Sequence, residues 1–312
     1  MNSKKKIFIA GHKGLVGSAI KRRLELEEDI EIYTVSKENL NLLDKEAVLN
    51  FFITNKFDEV YLCAARVGGI HANNTYPVNF ILENLSIQNN IIESSHSTNV
   101  EKLLFLGSSC IYPRDCIQPI KEEYLLSGPL ENTNKPYAIA KIAGLITCES
   151  FNRQFSTDYR SVMPTNLYGI NDNFHLENSH VIPALIKKIL IAKKEKSDVV
   201  EVWGTGKPKR EFLFSDDLAD ACIFYMNIEK RKIENSHVNI GTGIDITIKE
   251  LAELICEVAG YDGKLFFNSN MPDGTPQKLL DVSKINSYGW NAKTSLRVGL
   301  NKTIDWFNSF EK

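Results

Sequence analysis

Four side chains with complementary chemistry stand close together in this chain: Ser108, Cys110, Tyr137 and Lys141. Tyr137 and Lys141 are four residues apart, which on a helix puts both on one face. A phenol titrates near ~10 and yields its proton poorly at neutrality. An ammonium one helical turn away favours the phenolate and lowers that value, so the pair reads as an acid that can protonate a carbonyl oxygen. Ser108 ends an apolar run, and its hydroxyl can hold the same carbonyl. Proton transfer positioned in this way is typically worth ~10²–10⁴ in rate. An isolated Tyr-x-x-x-Lys is better read as a packed tyrosine and an exposed lysine. A glycine turn upstream reverses that preference.

The turn is Gly11-His12-Lys13-Gly14-Leu15-Val16-Gly17. It follows a short apolar strand at residues 7–10 and opens a helix. In that context glycines allow a tight turn and close approach of backbone to a pyrophosphate, which the helix N-terminus favours. An acid at the end of the second strand would hold a ribose 2′-hydroxyl, and a base there would take a 2′-phosphate. This strand ends Thr34-Val35-Ser36-Lys37. Lys37, with Lys13, favours NADP(H) over NAD, while Glu31 falls at the strand's start, away from the binding edge.

The elements that must position these groups alternate. Strands are expected at 7–10, 30–35, 60–63, 103–106 and 159–163. Helices are expected at 15–28, from an Asp44 N-cap to about 54, at 77–95, and from Pro136 onward. This rhythm predicts an α/β fold, a Rossmann-type doubly wound parallel sheet. After about residue 170 the rhythm changes. A loop at 171–180 leads to a helix at 182–196, a strand at 199–203, a Gly-rich turn, a helix capped by Asp216, a strand at 238–240 and an amphipathic helix at 296–310. These segments read as a smaller, discontinuous α/β substrate domain over the sheet's carboxyl edge. The division expected is 1–170 and 212–241 for the cofactor, 171–211 and 242–312 for the substrate.

With 312 residues the chain can build a sizeable core. A net charge of -2 argues against a general nucleic-acid or membrane-surface binder. No apolar run approaches the ~18 residues of a membrane span, and the start lacks the apolar region of a signal peptide. Six cysteines show neither metal-ligand spacing nor a disulfide framework, so a cytoplasmic protein with reduced thiols and no metal is expected. His12, His71, His96, His175 and His237 read as structural or solvent-exposed.

Further motifs carry a resemblance. Val67-Gly68-Gly69-Ile70, Asn73-Asn74-Thr75-Tyr76-Pro77 and Gly107-Ser108-Ser109-Cys110-Ile111-Tyr112-Pro113 are three of them. Others are Pro164-Thr165-Asn166-Leu167-Tyr168-Gly169, Ser179-His180-Val181-Ile182-Pro183, Arg210-Glu211-Phe212-Leu213 and Pro272-Asp273-Gly274-Thr275-Pro276. With the glycine turn and the Tyr/Lys pair, they make nearly the whole chain resemble the extended short-chain dehydrogenase/reductases, and within them the GDP-L-fucose synthase family. The resemblance implies NADP(H)-dependent 3,5-epimerisation and 4-reduction of a GDP-4-keto-6-deoxy sugar. It implies Cys110 as base and His180 as acid for the inversions, with Tyr137 serving both inversion and reduction. It adds Pro164, Thr165, Asn166, Leu167 and His180 to the cofactor site. Lys188, Trp203, Arg210, Asp273 and Lys278 are implied to hold the GDP-sugar, and a homodimer is implied through the helices at 77–96 and 136–155. Lysines at 13 and 37 stand where arginine is frequent in the family, and lysine cannot fork onto phosphate. A C4-reductase of another GDP-4-keto sugar, such as a heptose, is the nearest alternative. A 4,6-dehydratase would carry acids where this chain has Ser109-Cys110, and a cofactor-sensing protein would tend to lose the Tyr/Lys pair.

Overall fold

The computed structural model describes residues 4–175, 179–271 and 273–310. Residues 176–178 of the loop before His180, Pro272 and the side chain of His71 lie outside the described residues. The first half runs β1 (Lys5–Ala10), α1 (Leu15–Leu24), β2 (Ile30–Tyr33), α2 (Lys45–Asn55), β3 (Glu59–Leu62), α3 (Ile70–Thr75), α4 (Pro77–Ser97), β4 (Lys102–Leu106), α5 (Lys135–Phe155) and β5 (Asp158–Pro164). The second runs β6 (Asn166–Tyr168), α6 (Val181–Glu195), β7 (Val199–Trp203), β8 (Lys209–Phe214), α7 (Ser215–Asn227), β9 (Val238–Ile240), β10 (Asp245–Thr247), α8 (Ile248–Ala259), β11 (Lys264–Asn268), β12 (Gln277–Lys278), α9 (Ser283–Ser287) and α10 (Leu296–Phe310).

Six strands form one sheet in the order β2-β1-β3-β4-β5-β9, every pair parallel. Side chains alternate across a strand, and the cores follow that alternation. Phe8, Val60, Leu103 and Phe105 pack on one face with Phe52, Ile91, Ile92 and Leu145, from α2, α4 and α5. Ile7, Ile9, Tyr61 and Leu104 pack on the other with Ala19, Ile20, Leu218 and Cys222, from α1 and α7. The sheet is therefore covered on both faces, as a parallel sheet requires. A third core joins α6, α8 and α10 to β7 and β8 through Ile186, Ile189, Val200, Leu251, Ile255 and Leu300. There β8 lies between β10 and β12 and also pairs with β6, while β7 pairs with β11.

Asp44 caps α2, accepting from the Ala47 N–H at 3.0 Å. Asp216 does not cap α7: Phe214 holds that position, and Asp216 lies in the first turn, ion-paired with Arg22 of α1. α1 stops at Leu24 rather than 28, because Leu24 is the last side chain of its buried stripe and Leu26 is 70% exposed. β2 stops at Tyr33, so Thr34 to Lys37 leave the ladder as a loop. The short helix α3 was not foreseen; Asn73 Nδ2 secures its start by donating to the Gly68 and Gly69 carbonyls at 2.8 and 3.1 Å.

Candidate active site

The glycine turn leaves the carboxyl end of β1. Gly11 has φ +88°, and a Cβ there would lie 2.7 Å from the Ala64 nitrogen. A Cβ on Gly17 would lie 2.2 Å from the Gly11 carbonyl oxygen, so the helix and turn meet only because both residues are glycine. Gly14 is the N-cap of α1, supplies no side-chain acceptor, and no acid occupies the first turn. The turn thus offers unclaimed N–H groups at the positive end of a helix dipole, which fits a dinucleotide's pyrophosphate. Partial burial, then the charges of Lys13 and Lys21, hold the His12 pKa below its usual value. Beyond β2, a hydrogen bond from Ser36 is the main cause lowering the pKa of Glu38, with Lys13 and Lys37 adding to it.

At the end of β4, Gly107 packs so closely that a Cβ would meet the Met163 sulfur at 2.2 Å. The chain then turns into a one-turn helix, Ser109–Ile111, whose N-cap is Ser108. The Ser108 hydroxyl accepts from the Cys110 N–H at 3.2 Å and is near enough to the Tyr137 phenol to oppose the rise in its pKa. Tyr137 and Lys141 project from the first two turns of α5. Phe80 of α4 packs edge-on to the Tyr137 ring with centroids 6.3 Å apart. Lys141 is 4% exposed. Its Nζ donates to the Leu106 carbonyl at 2.7 Å and lies 4.9 Å from the Phe105 ring and 5.8 Å from the Tyr137 ring.

This arrangement corrects one expectation. Lys141 does not lower the Tyr137 pKa in the protein alone. Burial raises it first, negative charge on Cys110 raises it further, and the Ser108 hydroxyl only opposes them. The lysine itself is displaced: burial lowers it from 10.5 to about 8, partly countered by Cys63. Its ammonium is spent on Leu106 rather than on the phenol.

Cys110 is half-buried, and its Sγ lies 3.7 Å from Nζ of Lys278. His180 is the N-cap residue of α6 and is solvent-exposed, yet enough protein surrounds the ring that burial, followed by the charge of Lys278, lowers its pKa. Ser108, Cys110 and Tyr137 are therefore in mutual reach, and Lys278 acts on both Cys110 and His180. Lys188 and Trp203 form a separate pair, with the ammonium 5.0 Å from the ring centroid and bonded to the Glu201 carbonyl. Trp203 is 49% exposed. Asp273 accepts from Thr205 N–H and hydroxyl at 2.6 and 2.8 Å, which fixes the turn before β8 beside Arg210.

The sequence matches the NAD dependent epimerase/dehydratase family over residues 7–241. The chain belongs to that family. It is 54% identical to GDP-L-fucose synthase of Escherichia coli strain K12, across 98% of this chain and 97% of that protein. GDP-L-fucose synthase 1 of Arabidopsis thaliana is also 54% identical, across 97% and 93%. Among solved structures, a GDP-mannoheptose C4 reductase from Campylobacter jejuni, MlghC with NADP bound, superposes with a TM-score of 0.90 at 40% identity over 99% of both chains.

Within this member of the family, three residues near the site escaped the sequence reading. Glu211, fully buried, accepts from the N–H groups of Thr242, Gly243 and Leu280 at 2.6, 2.8 and 2.9 Å. Its own carbonyl takes Thr165 Oγ1 and Asn166 Nδ2, so it joins the β5–β6 corner to the strands that carry Arg210 and Lys278. The motif Arg210-Glu211-Phe212-Leu213 drew attention to Arg210, but an acid inside a strand gives no sign of which distant amides it serves. Glu38 stands beside Lys37 in a loop, where an acid next to a base gives no sign of what it holds. Asn84, 2% exposed, clamps Arg66 by accepting from its N–H at 2.8 Å and donating to its carbonyl at 3.0 Å; nothing in an asparagine on a helix face signals that contact.

Proposed function

We propose that this enzyme inverts C3 and C5 of GDP-4-keto-6-deoxy-D-mannose and reduces C4, giving GDP-L-fucose with NADPH as reductant. The observation that carries the reading is the shared patch: the Cys110 thiol and the Tyr137 phenol stand together beside Ser108, whose hydroxyl accepts from the Cys110 N–H. Full-length relatives at 54% identity support the substrate. The glycine turn would hold the pyrophosphate, with Gly11, His12, Lys13, Gly14, Leu15, Val16 and Gly17 around it, and Lys13 and Lys37 would take the 2′-phosphate. Lys141 would hold the nicotinamide ribose, with Pro164, Thr165, Asn166, Leu167 and His180 along the nicotinamide end. When bound, NADPH supplies the hydride that C4 receives.

Cys110 removes the proton beside the ketone, and the electron pair moves onto O4, where Ser108 and Tyr137 hold it. His180 returns a proton to the opposite face. Its lowered pKa leaves it neutral at pH 7 in the protein alone, and the negative diphosphate opposes Lys278, so the proton it needs is taken up with the substrate. After both inversions Tyr137 protonates O4 as C4 is reduced. Arg210 and Lys188 suit the diphosphate, and Trp203 walls the nucleotide. Residues 1–170 and 212–241 carry the cofactor, 171–211 and 242–312 the sugar nucleotide.

Exposed apolar side chains on α4 and α5, Val78, Leu82, Ile139 and Ile146, support a homodimer through those helices. Six free cysteines support a reducing, cytoplasmic setting. No described helix is long and apolar enough to cross a membrane.

The C4 reductase at 40% identity favours a second reading, reduction of another GDP-4-keto sugar without inversion. Incubation with the ketosugar in heavy water, without NADPH, separates them. Deuterium entering C3 and C5, followed by GDP-L-fucose on adding NADPH, supports the first reading. NADPH consumption with no deuterium at either carbon leaves the second.

A further inference from the structure

Lys278 was expected to hold the GDP-sugar, but its surroundings point elsewhere. It lies on β12, registered against Arg210 of β8. The preceding side chain, Gln277, turns to Asp245 Oδ2 at 2.5 Å, and the alternation of a strand sends Lys278 to the other side. The backbone around it is fixed at several points. Lys209 N–H donates to the Pro276 carbonyl at 2.9 Å, Leu279 N–H to Gln118 Oε1 at 2.7 Å, and Leu280 N–H to Glu211 at 2.9 Å. The ammonium thus reaches Cys110 from a rigid base.

The titratable groups facing it are few. Cys110 and Cys116 approach from the segment after β4, and His180 from the start of α6. Arg210 neighbours it on β8. Among the described residues no carboxylate lies within ion-pair distance of Lys278. A half-buried cation with no carboxylate and a thiol at 3.7 Å lacks an anion, and the thiol can become one.

We propose that Lys278 is the counter-ion of Cys110, a positioning residue whose ammonium holds the thiol as the thiolate that removes protons beside the ketone. This rests on the reading of Cys110 as the base. In each inversion the sulfur takes the carbon-bound proton and becomes a thiol, and the electron pair passes to O4. The neutral thiol then loses its charge contact with Lys278, which favours releasing that proton to solvent, while His180 takes one up from solvent before the second inversion. The diphosphate is left to Arg210 and Lys188.

Removing the ammonium takes away the cation that lies 3.7 Å from the sulfur, and the partial exposure of the pair keeps the effect small. The expected net effect of Lys278→Met is about a threefold slower alkylation of Cys110 by iodoacetamide at pH 7. The measurement is made on the full-length protein without ligand, with labelled Cys110 followed by peptide mass spectrometry. The deficit should close as the pH is raised and the thiolate forms regardless, and Lys278→Arg should restore most of the rate. Deuterium entry at C3 and C5 should fall more than reduction of a ketosugar already inverted at both carbons. Equal alkylation at every pH, with KM raised alike in both half-reactions, would overturn the proposal and leave Lys278 a substrate ligand. Because alkylation needs no substrate, an alkylation contrast without any deuterium exchange would instead count against the epimerase reading.

Discussion

Replacing Lys141 with methionine should make the ligand-free protein more stable at neutral pH while removing its ability to turn over. Burial lowers this lysine from 10.5 to about 8. Below the folded value both states carry the proton, and the folded state bears the cost of enclosing it. The fall is worth about 3 kcal/mol at pH 7. Methionine recovers that cost but leaves the Leu106 carbonyl without its 2.7 Å donor, a loss of about 1.5 kcal/mol for a hydrogen bond to a charged group. The variant should therefore gain about 1–2 kcal/mol at pH 7. The sign changes with pH. Between about 8 and 10.5 the unfolded chain holds more protons than the folded one, so the wild type gains stability as pH rises through that window and the variant does not. The advantage should vanish near pH ~9.5 and reverse above it. Urea titrations of both proteins at pH 7, 8.5 and 9.5 measure this, with the m-value checked for constancy. A variant less stable than wild type at pH 7, or a difference flat across the three pH values, would refute the account of Lys141 as a buried and costly cation.

The remaining predictions concern cofactor, catalysis and scaffold. Gly17→Ala places a methyl 2.2 Å from the Gly11 carbonyl oxygen, so titration with NADPH should show an affinity loss of at least ~10-fold as the turn moves off the pyrophosphate. Tyr137→Phe should lower kcat for reduction by ~10²–10⁴ while NADPH binding, read by fluorescence, stays within a factor of a few. Glu211→Gln turns an NH₂ towards buried N–H groups and should cost about 2–3 kcal/mol in urea unfolding, with KM for the GDP-sugar rising because β8 and β12 lose a common anchor.

The alternation of short apolar runs and helices was enough to read the parallel sheet, because strands buried on both faces must be apolar throughout, as residues 7–10 and 103–106 are. Asp44 was legible as a cap because its role is local. Asp216 was misread because the same residue type can pair across the fold, here with Arg22 of α1, and sequence gives no sign of that partner. The convergence of Ser108, Cys110 and Tyr137 followed from motif spacing and was found. The direction of the Tyr137 shift was not, because spacing places a lysine near a phenol but says nothing of how deeply both are enclosed or that Leu106 claims the ammonium. Lys278 beside Cys110 lies 168 residues away in the chain, a separation only the folded topology closes.

One carboxylate, that of Glu211, draws together the loop after β9 and the segment after β12. Pulling either away would leave the buried carboxylate short of its donors, so the two segments are held as one unit, as covers are on a spine. The amides of Thr242, Gly243 and Leu280 should accordingly be among the slowest in their loops to exchange with solvent.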